Sequence, residues 1–179
     1  MFHSLAQNLT GENMNIRQIT LSLSLFALLV TIAFATEKAN FSGTWIMDKT
    51  KSEGLPKEME QTMKVTQAGD KLDLETDLFQ GDDVTTVHDG YSINGQAVDY
   101  SARLQAGQTT TGKRTAQWNA EGNGFEVNET ATFDTPEGKV SITMQRKWAL
   151  SSDSKTLVIE LHHTGPTGPI TTKRTFQRK

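Results

Sequence analysis

Residues 62–78 read TMKVTQAGDKLDLETDL. Met63 and Val65 fall on one face of the first half, with Thr62, Lys64 and Thr66 on the other. After Ala68-Gly69-Asp70 the alternation resumes, Leu72 and Leu74 facing one way and Asp73 and Glu75 the other. A period of two is a strand with one apolar face, and a short glycine-containing break between two such runs is a hairpin loop. The same pattern extends outward in both directions. Gly43 to Asp48 precedes it as a first strand. Val84 to Ile93 follows, then Asn94-Gly95, the strongest short hairpin signal in the chain, with Gln96 to Leu104 expected to pair back across it. Thr109 to Trp118, Phe125 to Phe133, Lys139 to Leu150, Lys155 to His162 and Ile170 to Arg178 complete the set, separated by turn residues and by a Gly165 to Pro169 loop. The one interruption is Ser52 to Glu60, where Pro56 is placed to start a single helical turn. The predicted fold is all-β: an antiparallel up-and-down meander of about 8–10 strands, closed into a barrel because closure removes exposed edges.

Bulk properties narrow the function. With 179 residues, 35% of them hydrophobic, the chain suits one domain whose strands keep one face in water. A formal charge of -3 and the absence of a basic, aromatic-studded patch exclude a nucleic-acid surface. The basic run Lys173, Arg174, Arg178 and Lys179 lies in a strand and reads as a solvated face. No cysteine is present, so disulfides, thiolate metal sites, cysteine catalysis and lipid attachment through Cys are excluded.

The N-terminal 35 residues read as an export signal. Arg17 supplies the positive start, Ile19 to Ile32 an apolar run of signal length, and Ala33-Phe34-Ala35 a small-x-small cleavage pattern that leaves Thr36 first. The run is short for a spanning helix, so no membrane anchor is expected after cleavage. Residues 1–13 read as a long n-region of that signal or as an upstream start. The expectation is an exported protein, periplasmic or secreted, with residues 36–179 as a single domain. Two glycosylation sequons, at Asn40 and Asn128, read as chance in a bacterial-looking chain.

Asn40-Phe41-Ser42-Gly43-Thr44-Trp45 resembles the G-x-W start of the calycin superfamily, which includes lipocalins, fatty-acid-binding proteins and avidins. Lys51-Ser52, the tyrosine strand ending in Asn94-Gly95, and Trp148-Ala149-Leu150-Ser151 before Asp153 are similar to exported lipocalin-like domains of bacteria. The resemblance covers nearly all of residues 40–179. It implies a barrel that binds a small apolar or amphipathic ligand such as a fatty acid, with no cofactor. It gives Gly43 and Trp45 a structural role at the barrel base and lays Arg174 over the Trp45 ring. It also suggests an acid-binding role for Arg174 and Phe176, since fatty-acid-binding proteins hold a carboxylate with R-x-Y on the last strand; here the segment is Arg174-Thr175-Phe176, without the hydroxyl. The terminal helix of lipocalins and the helical cap of fatty-acid-binding proteins have no counterpart in the sequence.

Arg146 shares the phase of Val140, Ile142, Met144 and Trp148, which turns a charge toward the apolar side. Such a charge needs a carboxylate, a cavity or an open rim, or else a bulge that rotates it outward. Tyr91, Trp118 and Trp148 join Arg146, Arg174 and Phe176 as the candidate ligand-facing set. His162 and His163 are adjacent on a strand, point to opposite faces and cannot both address one metal ion. No catalytic motif is present, so a binding barrel leads, a filled-core interaction module of the cell envelope is the alternative, and a small barrel enzyme the third reading.

Overall fold

A computed structural model describes residues 37–104 and 107–179; residues 1–35, read above as an export signal, lie outside the described residues. Ten strands form one antiparallel sheet: β1 (Gly43–Met47), β2 (Met59–Ala68), β3 (Lys71–Gln80), β4 (Asp83–Ser92), β5 (Val98–Arg103), β6 (Thr109–Trp118), β7 (Gly124–Thr135), β8 (Gly138–Leu150), β9 (Thr156–Gly165) and β10 (Gly168–Arg178). The up-and-down meander expected from alternation is the one found. Consecutive strands pair except β4 and β5, and β1 pairs with β10, so the sheet order is β4-β3-β2-β1-β10-β9-β8-β7-β6-β5.

Three local readings are corrected. First, Asn94-Gly95 does turn the chain, with Asn94 Oδ1 accepting from the Gln96 amide at 3.0 Å, but β4 and β5 are not neighbours in the hydrogen-bonded order. The backbone around the turn is engaged elsewhere: the Ile93 amide donates to Asp70 O and the Gly95 amide to Ala116 O. The sheet is therefore an open barrel with a seam between β4 and β5. Second, Pro56 starts no helix; Met59 already belongs to β2. The helical element in this region is a short 3₁₀ turn, Lys49–Lys51, capped by Asp48, whose side chain accepts from the Thr50 amide. Third, Gly165 and Gly168 are directly paired, so the loop between β9 and β10 is a two-residue turn.

Alternation without bulges aims one face of every strand inward. The row Trp118, Phe125, Trp148, Ile159, Arg174 runs unbroken across β6 to β10. Phe41, Trp45, Val127, Leu157 and Phe176 are fully buried in one apolar cluster, each large side chain adding about 1.5–3 kcal/mol by leaving water. Phe125 stacks on Trp148 at 5.0 Å and meets Phe41 edge-on at 5.2 Å. Gly124 is required here, because a Cβ would lie 2.2 Å from Trp148 O. A second, smaller cluster holds Ala102, Ala131, Phe133 and Ile142.

Candidate functional site

Charged residues separate the two apolar clusters. On the inward face of β7, Glu129 stands between Val127 of the first and Ala131 of the second, and is 3% exposed. A carboxylate there requires partners. Arg114 of β6 donates from Nε to Glu129 Oε1 at 2.5 Å, and Arg146 of β8 donates from Nη1 to Glu129 Oε2. Arg114 also reaches across the seam, from Nη1 to Asp89 Oδ1 at 2.7 Å and to Gly90 O at 3.0 Å. Its guanidinium lies 5.0 Å from the Tyr91 ring centroid and 4.7 Å from that of Tyr100, between an aromatic from each edge.

Beside this cluster is a cavity of about 340 Å³. Met63, Leu74, Leu78, Met144, Ile159 and Leu161 supply its apolar wall, and Gln61, Asp89, Tyr91, Arg146, Trp148 and Arg174 its polar groups. Arg146 faces inward as its phase predicts, since it pairs in register with Val127 and Leu161 and no bulge turns it away.

Arg174 differs from the other two arginines. Its Nη1 donates to Gln61 Oε1 at 3.0 Å. Its Nε is buried without a partner, as is Trp148 Nε1. Among the described residues no carboxylate pairs with Arg174, whereas Arg114 pairs with two and Arg146 with one. Burial, and then repulsion from Arg146, holds the Arg174 pKa below the ordinary arginine value. For Arg146, burial pushes the same way, but the Glu129 carboxylate bonded to it outweighs that and the pKa stands above normal. Burial raises the Tyr91 phenol above its usual range, which keeps it neutral.

Four of the candidate residues (Tyr91, Arg146, Trp148 and Arg174) thus meet around one cavity. Phe176 does not line it; it is fully buried in the apolar cluster. Trp118 sits outside that lining too, its Nε1 donating to Asp70 Oδ1 at 2.9 Å. Trp45 is fully buried, with Nε1 donating to Phe41 O at 2.9 Å. The arginine over its ring is Arg178, at 4.4 Å, rather than Arg174. On β10 the pairing Trp45↔Arg178 puts that residue beside the tryptophan and carries Arg174 four residues away along the barrel. Glu129, Arg114, Asp89 and Gln61 are not reached by the sequence reading above, although the phase argument that places Arg146 inward applies to each of them. Among the described residues no group of His, Asp and Glu is arranged to hold a metal ion. His162 instead hydrogen-bonds Thr171 Oγ1 at 3.2 Å.

No family model and no curated protein matches the sequence. Solved structures resemble the chain at low identity. A fatty acid transporter is 15% identical with a TM-score of 0.49, over 77% of this chain and 95% of the other. Zebrafish ileal bile acid-binding protein in complex with cholic acid is 15% identical with a TM-score of 0.48, over 78% and 98%. Human cRBP IV is 14% identical with a TM-score of 0.49, over 79% and 99%.

Proposed function

We propose that this chain is an exported binding protein whose barrel interior takes a small amphipathic acid, the carboxylate on Arg174 and the apolar part against the wall of the cavity. One observation carries the reading: Arg174 reaches the cavity as a guanidinium with no carboxylate partner among the described residues and a buried, unbonded Nε. A half-buried cation left without a counter-charge is costly, and a ligand carboxylate would supply that charge. The cavity volume falls at the lower end of the roughly 300–1,000 Å³ of small-molecule sites, with the expected mix of apolar wall and a few polar groups. Export rests on Arg17, the apolar run to Ile32 and Ala33-Phe34-Ala35.

Native mass spectrometry of the protein purified from an exporting host tests both parts. The expected result is a mature chain beginning at Thr36, carrying added mass that leaves on denaturation. Arg174→Ala should lower the occupied fraction at least about tenfold, the loss of one charge-assisted contact. A bare chain that takes up nothing from a lipid extract would favour the filled-core interaction module. Retention of residues 1–35 would end the export reading.

A further inference from the structure

We propose that Glu129 is a specificity-determining residue that sets the charge of the ligand at minus one, so that the barrel accepts monocarboxylates and rejects both neutral alcohols and dianionic phosphate monoesters. This rests on the ligand reading above and adds the selection rule.

The rule follows from the partners of each interior charge. Among the described residues three guanidinium groups, those of Arg114, Arg146 and Arg174, share the interior with two carboxylates, those of Asp89 and Glu129. Three positive charges against two negative leave an excess of one. Glu129 determines where that excess resides. One of its oxygens takes Arg114 and the other Arg146; with Asp89 supplying the second negative charge to Arg114, both cations that flank Glu129 are compensated before a ligand arrives. What remains is Arg174, whose contact at Nη1 is the amide of Gln61, a neutral acceptor. Arg146 and Arg174 line the same cavity. Without Glu129 the cavity would present two uncompensated guanidinium groups, a setting for a dianion. With Glu129 in place, a dianion would leave a net negative charge in a site of low dielectric, and an uncharged head would leave the Arg174 charge unmet.

A head-group series separates the possibilities. Binding of dodecanoate, dodecanol and dodecyl phosphate to the full chain is measured by calorimetry at pH 8, where a phosphate monoester carries close to two charges. The wild type is expected to prefer dodecanoate over both others by at least about tenfold, since a charge mismatch at a desolvated site costs several kcal/mol. Glu129→Gln should shift the preference from dodecanoate toward dodecyl phosphate by at least about tenfold. Glu129→Gln/Arg146→Gln removes one charge of each sign and should restore the wild-type order. Gln61→Glu offers a route that leaves Glu129 in place: it puts a carboxylate on Arg174, and dodecanol should then outcompete dodecanoate.

If Glu129→Gln weakens all three ligands by a common factor, Glu129 is a structural partner of its arginines and the selection rule is wrong. Should Glu129→Gln not fold, a Gln61→Glu variant that still prefers dodecanoate overturns the rule on its own. A wild type that binds dodecanol as tightly as dodecanoate, unaltered by Gln61→Glu, overturns the earlier reading, because Arg174 then takes no head group.

Discussion

At the residue scale, the two arginines of β10 divide between structure and site. Arg178 lies over the Trp45 ring and donates to three carbonyl oxygens: Ser42 O at 2.6 Å, Asn40 O at 3.2 Å and Ser154 O at 2.8 Å. It therefore ties the segment before β1 and the β8–β9 turn to the last strand. Arg178→Ala should lower the free energy of unfolding by roughly 2–3 kcal/mol, from one ring contact and several charged hydrogen bonds at a partly exposed position. Acid binding should stay within about twofold of wild type, because the substituted group does not reach the cavity. Urea unfolding followed by tryptophan fluorescence, alongside calorimetry with dodecanoate, checks both statements. A large loss of affinity at unchanged stability would mean that the roles of Arg174 and Arg178 are reversed. The sequence contained the G-T-W start and both arginines, but which guanidinium meets the ring depends on the β1–β10 register. A pairing between the two ends of the chain is not written in the periodicity of either.

At the scale of elements, strand existence and facing were legible because alternation is strong in nearly every strand. The interior charges obey the same rule. Glu129 is in phase with Val127 and Ala131, Asp89 with Tyr91, Arg114 with Ala116, and Gln61 with Met63, so the signal was present for each. What hid them is that a charged residue in a half-exposed strand usually faces water, and only the partners revealed across the barrel make an inward carboxylate credible. The seam was not legible at all. Asn-Gly chemistry specifies a turn, and it makes one; it does not specify that the strands leaving the turn pair with each other. Here the two strand edges diverge, and Arg114 crosses between them to Asp89 and Gly90. Arg114→Gln should therefore loosen the seam first. Amide exchange in β4 and β5 is expected to rise by about tenfold or more while the β7–β8 ladder changes little, since exchange reports local opening. Uniform acceleration across all ten strands would show that Arg114 stabilises the whole sheet through Glu129 rather than the seam.

Across the whole molecule, the chain folds around a cost. No disulfide supports it, since it has no cysteine, so stability comes from the apolar clusters and from the balance of charges between them. That balance leaves one interior cation over among the described residues. Arg174 and Gln61 occupy interior positions on β10 and β2, and among the described residues their side chains hydrogen-bond only to each other at the cavity wall. Replacing both by apolar groups of similar size removes a buried charge and its polar partner together, leaving neither unsatisfied. The double variant Arg174→Met/Gln61→Leu should then unfold at higher free energy than the empty wild type, by about 1–4 kcal/mol. It should also gain nothing from dodecanoate. The wild type should rise by about 2.7 kcal/mol when dodecanoate stands at a hundred times its dissociation constant, recovering much of the difference. Denaturant unfolding of both proteins, with and without dodecanoate, measures all four quantities. If the empty double variant proves less stable than wild type, the Arg174–Gln61 pair is a structural fixture of the barrel, and the uncompensated guanidinium is not held in reserve for an acid.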